Sequence, residues 1–141
     1  MPLRPGFDLE RMNVFGKDFL PGLVGIVFTE ISEGLVKGEV PLRKVLLAPN
    51  GYLHAGTIVT FADTLCGYGC IAHLPGKAEN FTTIELKSNF LGTAREGTLR
   101  GEARAVHLGR TTQIWDAVVT HGEEPRQLAL FRCTQLVLYP R

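Results

Sequence analysis

The sequence predicts an α+β domain in which a curved, mainly antiparallel sheet wraps one long central helix. Three observations carry this expectation. Between Gly56 and Ala72 the only formal charge is Asp63, while Ile58, Val59, Phe61, Ala62, Leu65, Cys66, Tyr68 and Ile71 point in almost every helical direction. Such a helix has no polar face to leave in water and has to be covered on all sides. From Phe81 onward the pattern switches to the alternation of strands. The turns between those later strands are too short for parallel crossovers, which makes the sheet antiparallel.

Taken in order, residues 1 to about 20 hold Pro2, Pro5, Gly6 and Gly16 between short apolar groups, a broken lead-in with a short helix near Asp8 to Asn13. Leu23 to Ile31 is rich in β-branched residues, Glu33-Gly34 is a turn signal, and Leu35 to Val40 returns as the second arm of a hairpin ended by Pro41. Arg43-Lys44 and Pro49-Asn50-Gly51 make the loop that delivers the chain to the central helix, expected over Thr57 to His73.

After a turn at Pro75-Gly76-Lys77 come four strands. The first, Phe81 to Phe90, places Thr83, Glu85, Lys87 and Asn89 on one face and Thr82, Ile84, Leu86 and Phe90 nearer the other. The second, Gly97 to Val106, alternates cleanly: Thr98, Arg100, Glu102 and Arg104 outward, and the smaller Leu99, Gly101, Ala103 and Ala105 toward something bulky. The central helix lying across that face accounts for the small residues. Thr111 to Thr120 and Gln127 to Tyr139 complete the sheet through turns at His107 to Arg110 and Gly122 to Pro125. Trp115 falls in the core, and His73, His107 and His121 fall at turns or strand ends, expected at the surface.

Composition bounds the function. The 141 residues amount to one domain, with 45% hydrophobic and 21% charged residues. We find no uninterrupted run of about eighteen apolar residues of the kind that spans a bilayer. The start Met1-Pro2-Leu3-Arg4-Pro5-Gly6 lacks a secretory signal's apolar segment, so a cytoplasmic location is expected. The net charge is +1 and no basic block interleaves with aromatics, which argues against a nucleic-acid partner. Cys66, Cys70 and Cys133 form no disulfide framework, and no histidine or further cysteine stands at zinc-site spacing, so packing is their expected role and no metal or cofactor is expected.

A carboxylate in a buried helix is costly unless it is hydrogen-bonded, paired or kept for function. Asp63 is therefore either bonded to helix neighbours such as Thr60 and Thr64 or a functional acid. The residues around it resemble a known family, the hotdog-fold acyl-CoA thioesterases of the phenylacetate-pathway type. Those enzymes carry an Asn, a His-Gly-Gly turn and a helix with an Asp nine residues after the His. Asn50, His54-Ala55-Gly56 and Asp63 stand in that arrangement, with Ala55 in place of the first Gly and Asn50 closer to His54 than in the family. Thr83-Ile84-Glu85-Leu86-Lys87-Ser88-Asn89-Phe90 is similar to a family strand of the form Thr-x-Asp/Glu-Leu-x-x-x-Phe/Tyr, and Gly109-Arg110-Thr111 is similar to a later turn. Each motif alone is weak. Their order over roughly Leu23 to Val137 makes the likeness specific.

The resemblance implies a single hotdog domain acting as a homodimer or homotetramer on acyl-CoA, without cofactor or membrane. Thioester hydrolysis needs an activated water or a nucleophile, an oxyanion site and a dry tunnel for the acyl chain. Backbone N–H groups at Ala55 and Gly56 are expected to be free at the helix start, with Ala55 N–H as the oxyanion donor. Asp63 is the general base or the nucleophile; the sequence leaves both open. The resemblance places the Thr83 hydroxyl on the attacking water from the facing subunit. His54 either approaches the thioester sulfur or orients the turn, and Asn50 either holds the carbonyl or braces the loop. Arg110, with Lys87 and Arg104 as weaker candidates, meets coenzyme A phosphates. Two other classes compete: an acyl-CoA binding or sensing module on the same fold, against which Asp63 argues, and a hotdog dehydratase or hydratase, whose Asp-x-Asn-Pro-x-His loop is missing from the sequence.

Overall fold

The structure is a computed structural model describing residues 2–124 and 126–141. Met1, and Pro125 of the expected turn, lie outside the described residues. Helix α1, Leu9–Phe15, begins where Asp8 accepts a hydrogen bond from Arg11 N–H at 2.8 Å, an N-cap that satisfies one of the free donors of a helix start. Helix α2, Leu20–Val24, has Pro21 in its first turn and ends at Gly25, whose φ of 89° only glycine adopts at no cost. This corrects the expected strand start: Leu23 and Val24 are helical, because Pro21 and Gly25 bracket them more strongly than their strand propensity. The hairpin itself is β1, Val27–Ser32, and β2, Leu35–Pro41, turning through Gly34 at φ 69°.

A 3-10 turn at Lys44–Leu46 leads through the loop to α3, Ala55–Ala72, which begins two residues earlier than the sequence suggests because His54 caps it. Strands β3, Asn80–Phe90; β4, Thr98–Leu108; β5, Thr112–His121; and β6, Gln127–Leu138, follow. The six strands form one antiparallel sheet in the order β1-β2-β4-β5-β6-β3, bent around α3. By length and composition α3 passes for a membrane-crossing helix, which the interruptions at Asp63 and its threonines hide in the sequence, yet 61% of it is buried in the chain's own fold.

The small-residue face of β4 meets this helix as its pattern demands. A Cβ on Gly101 would fall 2.5 Å from Leu65 Cδ1 and 2.7 Å from Phe61 Cζ. On the other strands Gly38 gives the same room to Leu65, and on the helix Gly69 makes way for the Trp115 ring. Trp115 is fully buried, as expected.

His73 is not at the surface: it is fully buried behind the C-terminal end of α3. Its Nε2 accepts from Gly34 N–H at 2.8 Å, its Nδ1 lies 2.7 Å from the Gly69 carbonyl, and its own carbonyl accepts from the buried Gln113 amide. The ring thus ties the β1–β2 turn to the helix. Position at a helix end signals exposure only when no other element packs over that end.

β3 is an edge strand, and it contains a bulge between Thr83 and Glu85. Partners directly opposite in an antiparallel pair share a face. Phe81, Thr83, Leu86, Ser88 and Phe90 pair with Val137, Gln135, Cys133, Phe131 and Ala129, all buried. The inner row of β3 is therefore not the simple alternation expected from sequence. The extra residue, Ile84, shifts the pattern by one after Thr83.

Candidate active site

The loop before α3 is built to present the helix start. Leu47 and Leu53 form an isolated bridge, Leu53 N–H donates to Thr93 Oγ1 at 2.8 Å, and Thr57 Oγ1 donates to the Leu46 carbonyl at 2.8 Å. Gly51 takes φ 85°, and Asn50 Oδ1 accepts from Tyr52 N–H at 3.1 Å. Asn50 thus braces its own turn.

His54 Nδ1 accepts from Gly56 N–H at 2.7 Å. This corrects the expectation of two free donors: Gly56 N–H is taken by the capping imidazole. Ala55 N–H has no partner among the described residues, and Ala55 is exposed. The cap also fixes the histidine's tautomer. With Nδ1 accepting, the neutral ring carries its proton on Nε2 and offers it outward.

Asp63 lies on the one flank of α3 that the sheet leaves partly open, with Val59, Thr60 and Thr64 half-buried beside it. Its Oδ1 is buried and has no hydrogen-bond partner, so neither Thr60 nor Thr64 serves as one. Burial raises its pKa above the usual aspartate value of 3.8. The carboxylate is therefore more basic than an exposed aspartate and has no internal donor at Oδ1.

Beside the helix start lies a groove of about 530 Å³, lined by Leu23, Val24, Val45 and Leu46 and, at the start of α3, by His54, Gly56, Thr57 and Thr60. Arg43 closes one side, its guanidinium donating to the carbonyls of Leu23 and Val24 at the end of α2. The groove wall from α2 could not be foreseen, because those residues read as strand.

Thr83 is half-buried on the inner row of β3, and its Oγ1 donates to Gln135 Oε1 at 2.7 Å. Lys87 is exposed on the outer face of the same strand. Arg110 is exposed in the β4–β5 turn, where its carbonyl accepts from Tyr139 O–H. Arg104 is held by Glu102. Sequence reasoning missed Gln135 and Gln113, although each is a polar residue on the buried register of its strand, a visible signal.

Comparison with known proteins fits this arrangement. The family model of the thioesterase superfamily matches residues 50–127, from the loop through α3 to strands β3, β4 and β5. This chain belongs to the thioesterase superfamily. It is 30% identical to proofreading thioesterase EntH of Klebsiella pneumoniae, covering 92% of this chain and 93% of that protein. It is 28% identical to 1,4-dihydroxy-2-naphthoyl-CoA hydrolase of Escherichia coli, covering 92% and 94%. The crystal structure of a mutant of thioesterase PA1618 from Pseudomonas aeruginosa superposes with a TM-score of 0.91 at 28% identity, over 99% of this chain and all of that one. The protein is a thioesterase with the hotdog fold.

Proposed function

We propose that this thioesterase hydrolyses an acyl-CoA thioester to the free acid and coenzyme A, with Asp63 as general base or nucleophile and the Ala55 N–H as oxyanion donor. The observation that carries the reading is the Asp63 carboxylate: partly buried, unpartnered and raised in pKa on the same helix whose N-terminus offers a free N–H. The thioester oxygen sits on Ala55 N–H and the positive end of the α3 dipole, where developing charge is stabilised. Asp63 removes a proton from water as it attacks the carbonyl carbon; the C–S bond then breaks and the proton passes to the departing thiolate. In the nucleophilic route the carboxylate attacks first and water cleaves the anhydride. Single turnover in ¹⁸O water separates the two, since only the anhydride route can leave label in Asp63.

Asp63 stands eight positions after Ala55 in the helix, about 12 Å along the axis. One carbonyl cannot touch both groups of one helix. The site is therefore completed in a homodimer or a dimer of dimers, in which Ala55 of one protomer and Asp63 of its partner face the same thioester. The open edge of β3, with Leu86 and Phe90 half-exposed on its inner row, supports that assembly. Thr83 contacts the attacking water, from the subunit facing Asp63. His54 orients the turn through Gly56 N–H, and Asn50 braces the loop. Arg110 and Lys87 meet the coenzyme A phosphates.

The acyl group lies in the groove beside the helix start. Its volume suits an aryl or medium-chain group, and the relative named for naphthoyl-CoA hydrolysis supports the aryl choice. The protein acts in the cytoplasm, where coenzyme A esters are formed. The test is thiol release from a panel of aryl and aliphatic acyl-CoAs. Release from none of them, by a folded protein, removes the reading in favour of a binding module.

A further inference from the structure

Gln135 is fully buried on β6, in a row otherwise made of Phe131, Cys133 and Val137. A buried amide in apolar surroundings is costly unless both of its ends are satisfied. Here each end has one partner. Nε2 donates to Cys133 Sγ at 3.3 Å, and Oε1 accepts from Thr83 Oγ1 at 2.7 Å. Cys133 is itself buried in the core cluster, so the amide is anchored on the core side.

The neighbouring buried amide makes the contrast. Gln113, opposite Gln135 in the β5–β6 ladder, takes the Trp115 indole N–H and donates to the His73 carbonyl, two groups that water cannot reach. Its role is structural. Gln135 serves a hydroxyl on a half-buried edge strand, which does not need an interior partner. The bulge after Thr83 is what keeps the two opposite each other.

We propose that Gln135 is the positioning residue that turns the Thr83 hydroxyl into a hydrogen-bond acceptor for the attacking water. The inference rests on the proposed role of Thr83. A threonine hydroxyl has one proton, and Gln135 Oε1 takes it, which leaves only lone pairs for anything on the open side. Water held between Asp63 and Thr83 then donates one hydrogen to each. Both of its lone pairs stay free, one of them aimed at the thioester carbon; one proton moves to Asp63, and Thr83 neither gains nor loses one. Were the hydroxyl free to rotate, it could donate to the water instead, drawing charge from the attacking oxygen and leaving one water hydrogen unheld.

The test is a cycle of Thr83→Ala, Gln135→Met and the double variant, with kcat, KM and melting temperature measured on one acyl-CoA that the wild type hydrolyses. We expect Gln135→Met to lower kcat about tenfold with KM held within about twofold, and the double variant to be no slower than Thr83→Ala alone. Gln135→Glu, whose buried carboxyl stays protonated and still offers a carbonyl to Thr83, should stay within about threefold of wild type. If Gln135→Met costs the same factor again in the Thr83→Ala background, or leaves kcat unchanged while Thr83→Ala lowers it, the inference is overturned and the reading of Thr83 stands. If Thr83→Ala turns over like wild type, that reading itself has failed and the inference falls with it. Should Gln135→Met not fold, the Glu variant decides: retained kcat supports the positioning role, and a kcat as low as that of Thr83→Ala overturns it.

Discussion

Replacing Asp63 by Asn tests the centre of the mechanism, and the structure sets both its size and its side effect. The amide keeps the shape of the carboxylate but can neither take a proton nor form an anhydride. Loss of a positioned general base costs about 10² to 10⁴ in turnover, or roughly 3 to 5 kcal/mol of barrier. Stability should move the other way. Asp63 has no internal donor and its pKa is raised by burial, so ionising it opposes folding. Between 3.8 and its raised native value, the folded chain binds more protons than the unfolded chain. Stability therefore falls as pH rises through that window and stays lower above it. Asn removes this penalty at neutral pH. The variant should melt at or above the wild-type temperature at pH 7, and its advantage should vanish near pH 3. Wild-type kcat/KM should fall in acid with an apparent pKa above 3.8, reporting the same group. The assays are thiol release and thermal melting on both proteins over pH. If Asp63→Asn keeps more than a few per cent of wild-type turnover, or loses stability at pH 7, the carboxylate is structural and the reasoning is refuted.

Other perturbations probe the frame around the site. The pKa of His73 is lowered by burial, and its Nε2 has to remain unprotonated to accept from Gly34 N–H. Its contribution is full above about pH 6.5 and is lost as pH falls below that value, by at most about 1.4 kcal/mol per pH unit; melting from pH 7.5 to 5.5 should fall less in His73→Gln than in wild type. Gly101→Ala places a methyl 2.5 Å from Leu65 Cδ1 and should cost about 1 to 3 kcal/mol by denaturant unfolding, whereas an unchanged midpoint would mean that α3 can retreat from β4. Sedimentation at micromolar concentration should give a dimer or tetramer; an active monomer would rule out a site shared between Ala55 and Asp63 of different protomers.

The residues that made the fold legible were those whose local pattern and tertiary role agree. The all-round apolar character of α3 demanded a wrapping sheet, and the Leu99, Gly101 and Ala103 row showed which strand lies against it. Leu23 and Val24 misled because strand propensity was read without the Pro21 and Gly25 brackets. His73 misled because its covering turn, at Gly34, is distant in sequence.

The candidate site was legible to a different depth at each residue, and the reason is physical. Asp63 announced itself because a charge in an apolar helix breaks the rule for such helices. The freedom of the Ala55 N–H could be foreseen, but the capture of Gly56 N–H by His54 could not, since the capping geometry depends on a single imidazole rotamer. For Thr83 the sequence gives the residue type but not its direction, because the bulge at Ile84 changes which side chains share a face. Without that bulge, a strict alternation carrying Leu86, Ser88 and Phe90 inward would turn Thr83 to the outer face, away from Gln135. The hydroxyl then would be a solvated strand residue. A single inserted residue in an edge strand thus decides whether Thr83 faces Gln135 or the outer side of the sheet, a kind of information that resides in the register between β3 and β6 and in neither strand alone.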